Sequence, residues 1–275
     1  MILADCLSAA IARLSNAGIG TARLDALVLL EDCLGRDRAS LLAHPELKLT
    51  TVQIKKLDGQ IKRRAAHEPL AYIRGKTEFY GRDFIIDHRV LEPRPESETM
   101  IDLLKKLARD ERRSDMSERP MSLADIGSGS GCLGITAALE LGLEIVDFYD
   151  IDASTLEVAR NNAKKYHVHG TFHKSDLLDR ATGSHGIILA NLPYVPDTFH
   201  INEAAMREPS VAIFGGHDGL NLYRRLFAQL EDKSWSPRYV LTEALPPQHE
   251  QLAEIAANYG FSLLTSDDFI QVFTA

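Results

Sequence analysis

The stretch LADIGSGSGCLGITAALE, Leu123–Glu140, sets an apolar run, a turn of alternating glycine and serine, and a helix-spaced apolar run end to end. Gly127, Gly129 and Gly131 let the backbone turn tightly and let a ligand approach it closely. The same alternation continues downstream. Strands are expected at 122–126, 145–149, 186–190, 238–243 and near 262–266, with helices at 131–141, 153–165, 218–229 and 248–259. This order predicts an α/β fold with a mostly parallel, doubly wound sheet, whose ligands bind beyond the carboxyl ends of the strands.

Upstream the character differs. Residues 1–75 read as helices only, a small bundle. Thr21–Gly35 starts on a capping threonine, ends on glycine, and repeats Leu24, Leu27, Val28 and Leu34 at helical spacing. Thr51–Glu68 carries Val52, Ile54, Leu57 and Ile61, with Gly59 weakening its middle and Pro69 closing it. Aromatic and β-branched residues flank Gly81 in residues 76–91, which predicts a hairpin or two short strands. Glu96 and Glu98 suit a helix N-terminus, and the charged stretch Asp110–Pro120 reads as an exposed linker. Three regions result: a helical domain 1–75, a hairpin and linker 76–95, and the alternating domain 96–275.

Composition excludes several classes. The 275 residues include no run of 18 apolar ones, so no membrane span is expected, and the first residues lack a signal-peptide pattern. Cys6, Cys33 and Cys132 lie far apart, which argues against a disulfide framework or zinc site and for a reducing, cytoplasmic setting. His167, His169 and His173 stand close together, but no cysteine or acid cluster completes a site, so no metal is expected. Net charge is −8, against bulk attraction to nucleic acid or membrane. Residues 1–75 nonetheless hold 11 Lys and Arg against 8 Asp and Glu.

The glycine-rich turn admits more than one ligand. No Gly-Lys-Ser/Thr follows it, so it is not a P-loop; GSGSGCLG fits a dinucleotide turn loosely. Asp125, which ends the first strand beside the turn, and Gly127, Ser128, Gly129, Ser130 and Gly131 in the turn are candidate cofactor-binding residues. Asp150 ends the second strand, where an acid accepts from both ribose hydroxyls of a nucleoside; Asp152, just past the strand end, is the alternative. The third strand is expected to end near TFHKSDLLDR, where Asp176 reads two ways, as acceptor for an adenine amine or as a turn cap, with Leu177 placed to pack on the ring.

The fourth strand ends in ILANLPYV, Ile188–Val195. Asn-Leu-Pro alone is an ordinary turn. Joined to the glycine turn and the acid, it favours S-adenosylmethionine over a dinucleotide, because a sulfonium methyl needs an acceptor held nearby. An amide nitrogen is a poor nucleophile until it rehybridises. The Asn191 side-chain carbonyl and the Leu192 backbone carbonyl can each take one N–H, aim the nitrogen, and stabilise the growing positive charge. Pro193 restricts Leu192 to extended backbone, and Tyr194 can stack on the planar group. Asn191 also stands close enough to contact the cofactor.

These residues carry a family resemblance. HEPLAYIRGKTEFYGRDFIIDHRVLEPRPESE (His67–Glu98), DIGSGSGCLGI and REPSVAIFGGHDGLNLYRRL (Arg207–Leu226), with the Asn-x-Pro-Tyr stretch, resemble the HemK/PrmC family. These are protein-(glutamine-N5) methyltransferases of peptide chain release factors. The resemblance implies a Rossmann-like class I S-adenosylmethionine-dependent methyltransferase fold and a helical N-terminal domain that recognises the substrate. It implies methyl transfer to the glutamine of the Gly-Gly-Gln motif of class I release factors, modulating translation termination, with S-adenosylhomocysteine as product. Arg94 is a candidate to position the glutamine loop, or to pair with Glu98, and Arg207-Glu208-Pro209 to brace the Asn-x-Pro-Tyr loop. Gly215, Gly216 and Gly219 are expected to shape a turn. No direct nucleic-acid contact is expected, and the chain is expected to act as a monomer. One departure stands out: the family has Asn-Pro-Pro-Tyr, and this chain has Leu192 in the first proline position. Asn-x-Pro-Tyr logic is shared with adenine-N6 methyltransferases of RNA, so that activity, or methylation of a ribosomal-protein glutamine, is the alternative.

Overall fold

The computed structural model of the protein describes residues 1–113, 122–201 and 203–275. They form two compact units, Met1–Lys76 with Ile201–Arg207, and Thr77–His200 with Glu208–Ala275.

The first unit is helical: α1 (Leu3–Asn16), α2 (Ala22–Leu34), α3 (Arg38–Ala43), α4 (Thr51–Ala65) and α5 (Leu70–Arg74). Leu14, Leu29, Leu30 and Leu41 are completely buried in its core. Gly35 takes the left-handed conformation that ends α2, as its position predicts. Thr21, expected to cap α2, makes no side-chain cap bond. Side-chain caps lie instead at Asp37, which accepts from Ser40 N on α3, and at Thr50, whose hydroxyl and Gln53 close a capping box on α4. Helix α4 runs through Gly59 and stops at Ala65, short of Glu68, and Pro69 starts α5. Val52, expected on the apolar face, is 78% exposed, and Leu24 is also exposed. Arg64 reaches the buried Asp25 at 2.6 Å, an ion pair between α4 and α2.

The second unit opens with the hairpin β1 (Lys76–Phe79) and β2 (Arg82–Ile85), turned at Gly81 with φ +70°. Read as a linker, it packs into this unit: Phe79 and Phe84 are buried with Met100, Leu104 and Phe148. Asn162 holds Ile85 at both its N–H and its carbonyl, each at 2.8 Å. A single 3₁₀ turn at Pro95–Ser97 leads into α6 (Glu98–Arg113). Of the expected linker Asp110–Pro120, residues through Arg113 therefore continue the helix, and the rest lies outside the described residues.

Then follow β3 (Leu123–Ile126), α7 (Cys132–Leu141), β4 (Ile145–Asp150), α8 (Ala153–Lys165), β5 (His169–Lys174), β6 (Ile187–Ala190), α9 (Asn221–Asp232), β7 (Tyr239–Glu243), α10 (His249–Ala257), β8 (Ser262–Asp267) and β9 (Ile270–Thr274). The seven strands are ordered β5-β4-β3-β6-β7-β9-β8. The pairs from β5 to β7 are parallel, while β9 runs antiparallel between β7 and β8. Strand β9 is absent from the expected elements. The expected helix at 218–229 is shifted to 221–232, because Asp218 serves the turn before it, accepting from Leu220 N and pairing with Arg224. Strands β3 and β6 are buried at every residue, as parallel strands between helix layers require.

Candidate active site

The carboxyl ends of β3, β4 and β6 open on a cavity of about 450 Å³, within the range of small-molecule sites. The turn after β3 forms its floor. Gly127, Gly129 and Gly131 have φ of +69°, +54° and +75°, where a side chain is strained. A Cβ on Gly127 would stand 3.0 Å from the Leu192 side chain, and one on Gly131 3.1 Å from Ala159. Gly127 N and Ser128 N both donate to Tyr149 O, which locks the turn to the end of β4. The Ser128 hydroxyl is buried beside the cavity with no protein partner.

Asp150 ends β4 on the cavity wall. One of its oxygens accepts from Gly129 N at 3.0 Å and the other from Asp152 N at 3.1 Å. Burial raises its pKa above the usual carboxylate range, while those backbone donors pull it down. Each oxygen keeps a lone pair for a ligand hydroxyl. Asp152 is committed otherwise: it caps α8 through Ser154 N at 2.8 Å.

Asp176 and Leu177 also line the cavity. Asp176 pairs with Arg225 at 2.5 Å, and Leu177 holds a positive φ of +50°. Asp125 does not reach the cavity. It is buried beneath the turn, accepting from Gly134 N at 2.9 Å, and burial pushes its pKa up to about 7. Even the space at Gly134 is filled by it, since a Cβ there would lie 2.8 Å from the Asp125 carboxylate.

Asn191, Leu192 and Pro193 form the cavity wall at the tip of β6. Leu192 is buried, and its N–H donates to the Tyr223 hydroxyl at 3.3 Å. A proline at this position would have no such donor. The Tyr194 hydroxyl donates to Glu243 Oε1 at 3.0 Å, and its ring stands outside the cavity lining. Behind the tip, Val195 pairs with Phe214 and Gln248 donates to Tyr194 O at 2.8 Å. Gly215 and Gly219 press against Pro193 O and Tyr194 O so closely that neither position has room for a Cβ. These glycines shape the turn into α9 and clamp the Asn-x-Pro-Tyr loop as well.

Arg94 pairs with Glu208 at 2.7 Å, not with Glu98, which accepts from Tyr80 N. Glu208 thus braces the Glu92–Arg94 stretch, while residues 213–216 hold the tip loop. His173 stacks on Tyr149 and faces Asp147 at 3.0 Å, and no metal-capable cluster occurs among the described residues.

Sequence reasoning missed Ser97, Tyr223, Glu243 and Gln248. A signal existed for Glu243, an acid ending an apolar strand, YVLTE, as Asp150 does. Ser97 and Tyr223 reach the tip only through the fold.

The cavity suits S-adenosylmethionine: a backbone cradle closed to side chains, a carboxylate for ribose hydroxyls, an unpartnered serine hydroxyl, and an amide at the strand tip. The model of the methyltransferase small domain matches residues 103–208, and that of the PrmC N-terminal domain matches residues 5–75. Among solved structures, the hMettl16 catalytic domain in complex with MAT2A 3'UTR hairpin 1 superposes with a TM-score of 0.52 at 12% identity, covering 83% of this chain and 81% of that one. At that identity the likeness shows the fold alone. Fold and site together define a class I S-adenosylmethionine-dependent methyltransferase. A release factor glutamine methyltransferase of Koribacter versatilis (strain Ellin345) is 34% identical over 260 residues, covering 91% of this chain and 90% of that protein, and one of Coxiella burnetii (strain RSA 493 / Nine Mile phase I) is 31% identical over 248 residues, covering 89% and 87%. The chain belongs to the release factor glutamine methyltransferase family.

Proposed function

We propose that this enzyme methylates the side-chain nitrogen, N5, of the glutamine in the Gly-Gly-Gln motif of class I release factors. The observation that carries the reading is Asn191 at the tip of β6, on the wall of the cavity that holds Asp150 and the glycine turn. When bound, S-adenosylmethionine supplies an electrophilic methyl group and leaves as S-adenosylhomocysteine. Asp150 takes the ribose hydroxyls, Gly127–Gly131 cradle the amino-acid portion, and Asp176 and Leu177 border the adenine. Asn191 Oδ1 and the Leu192 carbonyl accept the two N–H groups of the glutamine amide. They hold its nitrogen toward the methyl and stabilise the positive charge that develops there. The methylated nitrogen, acidic while cationic, then loses its proton to water, so no strong base is needed.

Pro193 borders the glutamine plane, Tyr194 braces the loop from behind through Glu243, and Arg94, held by Glu208, stands on the approach. The helical unit recognises the body of the release factor in the cytoplasm, acting as a monomer and without nucleic acid. Among the described residues no helix is long and apolar enough to cross a membrane. The test is mass spectrometry of the Gly-Gly-Gln peptide after incubation of a release factor with enzyme and S-adenosylmethionine. Asn191→Ala is expected to lower turnover by about 10²-fold or more while S-adenosylmethionine still binds by calorimetry. Retained turnover would remove Asn191 from the mechanism.

A further inference from the structure

Strand register places a carboxylate beside the proposed acceptor. Ala190 at the end of β6 pairs with Thr242 of β7, so Asn191 and Glu243 follow side by side at the tip. Glu243 is 1% exposed and Ser97, from the turn before α6, is 2% exposed. Ser97 Oγ lies 2.6 Å from Glu243 Oε2, and Asn191 Nδ2 lies 3.0 Å from Ser97 Oγ. Tyr194 occupies the other carboxylate oxygen.

We propose that Glu243 and Ser97 are positioning residues that fix the orientation of the Asn191 amide, keeping its carbonyl free for the substrate nitrogen. This rests on the acceptor role of Asn191 argued above. The polarity follows from what each group can do. An ionised carboxylate only accepts, so Ser97 spends its one proton on Glu243. Ser97 can then only accept from Asn191, which commits Nδ2 to the serine and leaves Oδ1 as the unspent end. The Asn191 amide also bonds the carboxylate directly. Protonation of Glu243 would break this order. A neutral carboxyl can donate to Ser97, which is then free to donate to Asn191 Oδ1. The amide would turn its NH2 toward the substrate, where it repels the N–H groups it should accept.

Titration of Glu243 is set by its surroundings. Burial raises its pKa, and the bonds from Ser97, Tyr194 and Asn191 lower it. Glu96 faces it with like charge from the turn before α6. The hydroxyl of Tyr223 on α9 and the thiol of Cys132 on α7 also lie within its field, and Arg94 acts on Tyr194. The active form is ionised, so kcat falls as pH drops through a pKa above the ordinary glutamate value.

The experiment is steady-state methylation of a release factor by S97A, E243Q, S97A/E243Q and S97T across pH, with S-adenosylmethionine affinity measured by calorimetry as the check on folding. Each single loss variant is expected to lose between about tenfold and a hundredfold in kcat, with both KM values kept. The double variant should be no slower than the worse single, S97T should recover most of the rate, and the acid limb should vanish in E243Q. Wild-type kcat in S97A, multiplied losses in the double variant, or an unchanged acid limb in E243Q overturns the proposal. If E243Q fails to fold, S97A against S97T decides it. N191A separates the two readings: an inactive N191A beside fully active S97A and E243Q ends the relay alone, whereas an active N191A ends the acceptor role beneath it.

Discussion

Asp125 and Asp150 lie at the ends of neighbouring strands and do different work. Asp150 faces the cavity with backbone donors on both oxygens, whereas Asp125 is sealed under the glycine turn with Gly134 N on its carboxylate. Burial pushes the Asp125 pKa up to about 7, so the folded chain holds a proton that the unfolded chain releases near pH 4. Its contribution to stability therefore falls as pH rises from about 4 through about 7 and levels off beyond. Asp125→Asn stays neutral and still accepts from Gly134. Urea unfolding from pH 5 to pH 8 should show the wild type losing about 3 kcal/mol relative to the variant, since roughly two of the three pKa units fall in that range at 1.36 kcal/mol each. Parallel curves for the two proteins would refute the assignment. Sequence alone made Asp125 a cofactor ligand because it ends a strand beside the turn. Which way a strand-end side chain points depends on register with β4 and β6, and a single sequence does not contain that.

Helix α8 ties separate elements together through one side chain. Asn162 bonds both polar groups of Ile85 on β2 and accepts the task of satisfying Ser130 O in the glycine turn at 2.9 Å. Asn162→Ala leaves three backbone groups short of a partner, the buried Ser130 carbonyl and the two polar groups of the more exposed Ile85. It should lower unfolding free energy by about 2–4 kcal/mol, read as a shift in urea midpoint with the slope unchanged. A loss below about 0.5 kcal/mol would show that water replaces the amide. Elements with their own local pattern were legible in the sequence: β3 to β7, helices α7 and α8, and the hairpin around Gly81. Those defined by partners were not. Strand β9, Ile270–Thr274, follows β8 across a tight polar turn, and its antiparallel place between β7 and β8 is a pairing that no alternation of strand and helix announces. The start of α9 moved because Asp218 was drawn into a turn by Arg224. At the site, Asn191 and Asp150 were readable as polar residues ending apolar strands. The Ser97–Glu243 pair, 146 residues apart in sequence, becomes visible only when β6 lies beside β7.

Charge divides the molecule unevenly. The first 75 residues are net basic in a chain of net charge −8. On α4, Arg63 is spent on Glu68 and Arg64 on Asp25, while Lys55, Lys56 and Lys62 are exposed. Reversing Lys55 and Lys56 to Glu should raise KM for the release factor severalfold at low salt, with the gap closing toward 0.5 M salt, while kcat and S-adenosylmethionine affinity stay unchanged. Kinetics identical to wild type at every salt concentration would place recognition elsewhere. The division into units has a consequence for anyone cutting the gene. Residues 201–207 cluster with the helices of residues 1–76, and His67 pairs with Glu203 at 3.0 Å, yet chain of the other unit flanks this stretch on both sides. A fragment starting at residue 77 would thus carry an orphaned stretch torn from its own neighbours, and the excised helical piece would lack a patch of its surface.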